Sequence, residues 1–121
     1  MKLLAMFSTL IVTLTTMGWF GESEQCALLR DKAEQLVSLQ QLIDDEAYNL
    51  ASCEALAGNN DLAFHYLNVL KDKGFNDAYW LLADADFESL HQDGRWQLLV
   101  DEVSSVQQQM LAEIYSQHIN N

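Results

Sequence analysis

The chain of 121 residues contains no proline, only five glycines and few basic side chains. Because proline and glycine are the residues that most strongly interrupt helices, this scarcity favours long helical segments. Six lysine and arginine residues stand against 18 aspartate and glutamate residues, which gives a net charge of −12. The charge maintains solubility, and it repels phosphate backbones and anionic lipid. Nucleic acid and acidic membrane surfaces are therefore poor partners.

The sequence also lacks the patterns that identify catalytic or metal-binding proteins. It contains no nucleophile elbow, no phosphate-binding glycine loop and no cysteine–histidine spacing of known meaning. The three histidines are too far apart for a zinc-ligand spacing: His65, His91 and His118. We therefore expect a protein that is not an enzyme and that needs neither a cofactor nor a metal ion.

One acidic stretch, Asp84-x-Asp86-x-Glu88, superficially resembles the start of a calcium loop. The glycine required at the sixth position is Ser89, and the acid required at the twelfth is Arg95. We therefore interpret these acids as capping and turn residues.

The N-terminal segment has the composition of a targeting sequence. Lys2 precedes an apolar run, and no acidic residue appears before Glu22. This pattern predicts a signal peptide over residues 1–21, cleaved between Gly18 and Glu22, and hence a periplasmic or secreted protein. The uncharged run from Leu3 to Gly21 also approaches the roughly 20 residues that span a bilayer. An inner-membrane anchor facing the periplasm, with membrane contact only through this segment, is the alternative.

Two cysteines, Cys26 and Cys53, follow this segment. An even number of cysteines in an exported protein allows one disulfide, and a chain reversal near Leu39-Gln40 would place the two level with each other. Such a bridge would stabilise the fold by about 3.6 kcal/mol in the chain-entropy account. Two unpaired, part-buried thiols that fill space are the alternative.

Apolar spacing predicts an all-α domain over residues 22–121. Ser38 and Gln41 have the spacing of a capping box at the first break. Asn76 is predicted to cap the short fourth helix. The predicted helices run from Gln25 to about Gln41, from about Asp44 to Ala57, from a cap at Asn60 or Asp61 to Gly74, from Asp77 to Ala83, and from Arg95 to about His118.

The stretch from Tyr48 to Leu70 resembles one tetratricopeptide (TPR) repeat. Leu50-Ala51 in the first helix, Gly58 at the turn, and Ala63 and Leu67 in the second helix follow the pattern of that family. The physical logic is independent of the family name. The two alanines lack bulk, so the helices can approach closely, and Leu67 fills the space behind them.

The stretch from Gly74 to Leu99 resembles the closing segment often seen after the last such repeat in bacterial proteins. Ala85 and Gly94 stand where that segment usually has prolines, and Trp96 replaces phenylalanine. The repeat itself departs from its pattern at three positions: Ala47, Glu54 and Leu70. Because solenoids ordinarily need at least three repeats, we expect the flanking helices or another molecule to cover the open faces of this single one.

The resemblance implies an antiparallel helical hairpin that serves as a protein–protein interaction module, a scaffold or a regulator, with a protein or peptide partner. In the family the first helix of each pair lines the groove, which here would present Tyr48, Asn49 and Ser52. The lysine and asparagine clamp that some members use for a peptide carboxylate is not present. A free carboxylate is therefore not the expected ligand.

The last predicted helix carries a near-heptad apolar stripe, composed of Trp96, Leu99, Val103, Val106 and Met110. At 1.5 Å per residue this helix would span roughly 35 Å, longer than a repeat of roughly 20 Å. The stripe could fold back on the first helix, pair with its copy in a homodimer, or dock on another protein. We expect Tyr79, Trp80 and Trp96 to fill the small core, with an exposed aromatic anchor as the alternative.

Overall fold

The computed structural model describes residues 23–120, and the predicted targeting segment, residues 1–21, lies outside this range. The described chain is all-α, as predicted, and contains no strand between residues 23 and 120. Its α-helices are α1 (Glu24–Gln35), α2 (Asp44–Leu56), α3 (Asn60–Asp72), α4 (Ala78–Ala83) and α5 (Gly94–Asn120). Two 3₁₀ segments, Leu39–Gln41 and Ala85–Leu90, precede α2 and α5 respectively.

The centre of the fold is the antiparallel hairpin of α2 and α3. Gly58 ends α2 with a φ of +82°, a backbone conformation that side chains with a Cβ rarely adopt. The backbone N–H of Asn59 then donates to the carbonyl of Glu54 at 2.8 Å, which closes a Schellman turn. Ala51 and Ala63 are both fully buried between the helices. The prediction of a hairpin with small residues at the crossing is confirmed.

Helix α1 ends earlier than predicted, at Gln35 instead of about Gln41. The backbone turns extended at Leu36, and the predicted capping box of Ser38 and Gln41 opens the 3₁₀ segment instead of extending or starting an α-helix. The box itself is confirmed, because the Ser38 hydroxyl accepts from the Gln40 N–H and the Gln41 side chain accepts from the Ser38 N–H.

A disulfide joins α1 to α2. Cys26 and Cys53 are bonded to each other, with their Cα atoms 5.8 Å apart. Of the two alternatives that the sequence left open, the structure has the bridged one. An ion pair between Lys32 and Glu46 makes a second connection between the same two helices.

Two predicted caps are wrong by one residue. Helix α3 begins at Asn60 itself, so its N-cap position is Asn59 and not Asn60 or Asp61. Helix α4 is capped by Asp77, whose carboxylate accepts from the Trp80 N–H at 2.9 Å, and not by Asn76. In both cases several adjacent polar residues could cap, so the sequence alone does not fix which one does.

The core lies between the hairpin, the second 3₁₀ segment and the first half of α5. Phe87 and Leu90 of the 3₁₀ segment are fully buried. Arg95 connects the start of α5 to α3 through two contacts. Its guanidinium lies 4.4 Å from the centre of the Phe64 ring, and it donates a hydrogen bond to Asp61 at 2.8 Å. Within residues 23–120, no helix combines the length and the apolar composition that crossing a membrane requires.

Candidate protein-binding groove

The groove predicted along α2 is closed at its C-terminal half. The Ser52 hydroxyl donates to the carboxylate of Asp86 at 2.6 Å, and the Ser89 hydroxyl donates to the Ala55 carbonyl at 3.2 Å. Asp86 and Ser89 both belong to the 3₁₀ segment Ala85–Leu90, which therefore lies over this part of α2. Ser52 is buried as a result and does not face an open surface.

The N-terminal half of α2 stays open and borders a surface cavity of about 350 Å³. The cavity brings together Tyr48 and Asn49, two of the three groove residues predicted from the sequence. Its full lining is Asp44, Asp45, Tyr48, Asn49, Leu70, Phe75 and Trp80. A volume of this size is at the lower end of ligand sites and suits one or two side chains of a partner.

Trp80 forms one wall of this cavity and also borders a second depression, of about 260 Å³, with Ala83, Asp84 and Ala85. We call these two depressions and the Trp80 ring between them the Trp80 groove. The Trp80 side chain is 59% exposed, and Tyr79 beside it is 79% exposed. The prediction that Tyr79 and Trp80 fill the core is therefore wrong, whereas Trp96 is buried as expected.

The exposure of Trp80 has a local cause. Helix α4 is only six residues long, and it buries the face that carries Ala78 and Leu81. Tyr79 and Trp80 lie between these two positions in sequence, so both rings point away from the core. A run of aromatic and aliphatic residues in so short a helix does not reveal which face is inside.

Tyr48 is fixed at the base of the groove by Asp84. Its hydroxyl donates to the Asp84 carboxylate, and its ring packs edge-on against Phe87 with 5.4 Å between ring centres. Burial, followed by the hydrogen bond to Asp84, raises the pKa of Tyr48 well above its ordinary value. The phenol therefore stays protonated at neutral pH and acts as a hydrogen-bond donor.

Asp84 and Asp86 have structural roles. Asp84 accepts from the Asp86 N–H at 2.9 Å and thereby caps the 3₁₀ segment, while Asp86 holds Ser52. This confirms the capping role predicted for Asp84, whereas the Asp86 carboxylate makes a tertiary contact to α2 instead of capping. Within the described chain, residues 23–120, no cluster of three or more histidine, cysteine, aspartate or glutamate side chains is arranged to hold a metal ion.

The rim of the groove is acidic. Asp44 and Asp45 begin α2 and are exposed, and carboxylates in a first helical turn are favoured by the helix dipole. Lys73 approaches from the end of α3, pairs with Asp44 at 3.2 Å and donates to the Leu42 carbonyl. Asp45 keeps its carboxylate exposed to solvent. The groove therefore combines aromatic surface with negative charge.

The stripe predicted on the last helix divides into a buried part and an exposed part. Trp96, Leu99 and Val103 belong to the core of the chain itself, and Val106 is half-buried. Met110, 46% exposed, still contacts the side chain of Asn76. Beyond it the helix has no cover from the rest of residues 23–120.

The sequence reasoning missed a buried charge on the opposite side of the hairpin. Glu54 is only 2% exposed and accepts hydrogen bonds from Arg30 on α1 and from Asn59 at 2.8 Å. One signal was available: Arg30 follows Cys26 by one helical turn, and Glu54 follows Cys53 directly. Once the cysteines are bridged, the two charges come within reach of each other.

Comparisons with known proteins add no relative: no family model matches the chain, and no curated protein or solved structure matches it significantly. The candidate site is therefore defined by its geometry alone. That geometry consists of an exposed tryptophan, two adjacent depressions and an acidic rim, on a helical hairpin closed on one flank by the 3₁₀ segment.

Proposed function

We propose that this chain is an exported, non-catalytic protein-interaction module built on a TPR-like helical hairpin, and that its Trp80 groove binds a basic, partly apolar peptide segment of another protein. The observation that carries the proposal is Trp80 itself, 59% exposed between two depressions. A tryptophan in such a position buries a large area on binding and loses little side-chain freedom, and tryptophan is among the residues most enriched at interface hot spots.

The chemistry of the groove favours a cationic ligand. Asp45 supplies an exposed carboxylate on the rim, and the chain as a whole carries a net charge of −12, which attracts basic segments during encounter. The faces of Trp80, Tyr48 and Phe75 add aromatic surface on which lysine or arginine can stack. The apolar lining accommodates an aliphatic side chain next to the charge.

The disulfide between Cys26 and Cys53 supports export, because disulfides persist in oxidising compartments such as the periplasm and the extracellular space. The apolar segment at residues 1–21 agrees with this location. A membrane-anchored accessory subunit that faces the periplasm is the second candidate, favoured by the uncharged run from Leu3 to Gly21. The intact mass of the protein from the envelope fraction separates the two, since the anchored form retains its first 21 residues.

The test of the groove uses two synthetic peptides with blocked ends. One alternates lysine and leucine, and the other has glutamate in place of lysine. We expect the lysine peptide to shift the Trp80 fluorescence emission to shorter wavelength as the ring becomes buried, and the glutamate peptide to have no effect. Trp80→Phe should abolish the shift, which separates it from any contribution of the buried Trp96.

Two charge-reversal variants separate groove recognition from general attraction to an acidic protein. Asp45→Lys changes the rim, and Asp31→Lys makes the same change of net charge at an exposed position on α1. We expect Asp45→Lys to weaken binding of the lysine peptide roughly tenfold, about 1.4 kcal/mol, and Asp31→Lys to weaken it much less. Equal effects of the two variants, or equal binding of both peptides, would contradict the proposal.

A further inference from the structure

The C-terminal part of α5 projects from the fold with its apolar side chains exposed. Residues 108–120 are all exposed and extend about 20 Å. We call Leu111, Ile114, Tyr115, His118 and Ile119 the distal patch; its four large apolar members are each 52 to 67% exposed. A helix without tertiary contacts is marginally stable in water, and a concentration of exposed apolar side chains marks an interaction surface.

The charge distribution identifies the kind of partner. Residues 103–120 include one acidic residue, Glu113, and no lysine or arginine, although the whole chain carries 18 acidic and 6 basic residues. Two copies of a protein with a net charge of −12 repel each other over most of their surfaces. This segment is where two copies can approach with little repulsion. A strongly basic partner would find almost no carboxylate here.

The distal patch is also complementary to itself in the antiparallel direction. At 100° per residue, Leu111 and His118 share the centre of one helix face, with Ile114 and Tyr115 on either side of that centre. When a second copy of the helix runs in the opposite direction, Leu111 and His118 exchange their heights along the axis, and so do Ile114 and Tyr115. Two antiparallel copies therefore place Leu111 opposite His118 of the second copy and Ile114 at the level of Tyr115. A two-fold interface requires this kind of self-complementarity.

We infer that a second copy of this chain covers the distal patch, through antiparallel pairing of two α5 helices about a two-fold axis between Ile114 and Tyr115. Each copy contributes a helix face only about 20 Å long, less than a standard interface of roughly 800 Å² per partner, so we expect a weak dimer with a dissociation constant on the order of 1 μM. The inferred dimer goes beyond the proposed function, because the Trp80 groove, which lies mainly on α2 and α4, takes no part in the pairing. A dimer presents two such grooves, which increases the avidity for a partner with two binding segments.

Sedimentation of the purified chain over a concentration series around the micromolar range tests the dimer. We expect the mass to rise from that of one chain to that of two. Leu111→Glu with Ile114→Glu should raise the dissociation constant by roughly tenfold or more. Gln109→Glu with Ser116→Glu adds the same charge on the opposite face of α5 and should leave the equilibrium nearly unchanged. A single-chain mass at every concentration, or equal effects of the two variants, would overturn the inference.

Cysteine cross-linking tests the orientation. Both native cysteines are bonded to each other, so an introduced thiol has no native free thiol in residues 23–120 to compete with. Mixing Leu111→Cys with His118→Cys under mild oxidation should give a cross-linked heterodimer, while each variant alone should not cross-link. If each variant cross-links with itself and the mixture gains nothing, the helices pair in parallel and the antiparallel arrangement is excluded.

Discussion

Among single residues, Glu54 is the buried charge that joins α1, α2 and the turn after α2. Its buried carboxylate joins Arg30 on α1 to Asn59 in the turn after α2. Glu54→Gln keeps the shape but replaces the charged acceptor, and hydrogen bonds to a charged group are worth more than neutral ones. We expect the free energy of unfolding to fall by about 2 kcal/mol, measured by urea denaturation followed by circular dichroism.

The same substitution at an exposed site is the control. Glu113→Gln on the exposed part of α5 should change the free energy of unfolding by no more than about 0.5 kcal/mol. If the two variants are equally stable, the buried pair contributes nothing and Glu54 is merely tolerated inside.

A second single-residue effect depends on pH. The side chain of Arg95, together with its backbone N–H, lowers the pKa of Asp93 from 3.8 to about 2. Because the folded pKa is below the unfolded one, this stabilisation is present above pH 3.8 and is lost as the pH falls toward 2. We expect Asp93→Asn to melt at a lower temperature than the parent at pH 7, with the difference closing in that acidic range. A difference that persists unchanged at low pH would contradict this.

The residues that sequence reasoning placed correctly are those whose neighbours follow from helical spacing alone. Ala51 and Ala63 belong to this group, and both are fully buried. Trp80 and Glu54 were misjudged because hydrophobicity predicts burial for the first and exposure for the second. Their environments depend on α4 being short and on a cation from a distant helix, neither of which is encoded in local sequence.

Among the helices, α1 depends most on a single covalent link. Ala33 is the one buried residue of α1, so the disulfide to α2 provides much of the attachment of this helix. The bridge closes a loop with a sequence separation of 27, and its loss should cost about 3.6 kcal/mol in the chain-entropy account. We expect reduction, or Cys26→Ser with Cys53→Ser, to increase hydrogen exchange of the α1 amides before the rest of the chain unfolds.

The double serine variant supplies the control, since a reductant should not change its exchange further. If the α1 amides of the oxidised and the reduced parent exchange at the same rate, side-chain packing alone holds this helix.

Helix boundaries were predictable where the backbone itself dictates them. Gly58 and Gly74 both adopt positive φ and end α2 and α3 as expected. The end of α1 could not be predicted in this way, because the apolar residues after Gln35 keep helical spacing. In the structure the backbone becomes extended at Leu36, whose side chain packs against the core. The 3₁₀ segment that covers Ser52 also could not be located, since its position depends on a hydrogen bond between residues 34 apart.

For the whole molecule, the dominant feature is the excess of negative charge. At a net charge of −12 the compact state suffers self-repulsion that the more extended unfolded chain partly avoids. Raising the ionic strength from about 0.01 M to about 0.15 M shortens the screening length from about 30 Å to about 8 Å. We expect the melting temperature to rise over this range, as measured by calorimetry at constant protein concentration.

A melting temperature that falls with salt would show that attractive pairs, such as those of Arg95 and Lys71, outweigh the repulsion. The test therefore distinguishes net charge from local pairing as the main electrostatic influence on stability.

The two flanks of the central hairpin are both occupied, one by α1 through its disulfide and the other by the 3₁₀ segment that lies over Ser52. Like units joined in tandem could not stack face to face, as the repeats of a superhelical array do. A duplicated gene would encode independently folded domains connected by linkers, each with its own Trp80 groove. Contacts between such units would instead use surfaces that are still exposed, such as the distal patch of α5 and the Trp80 groove.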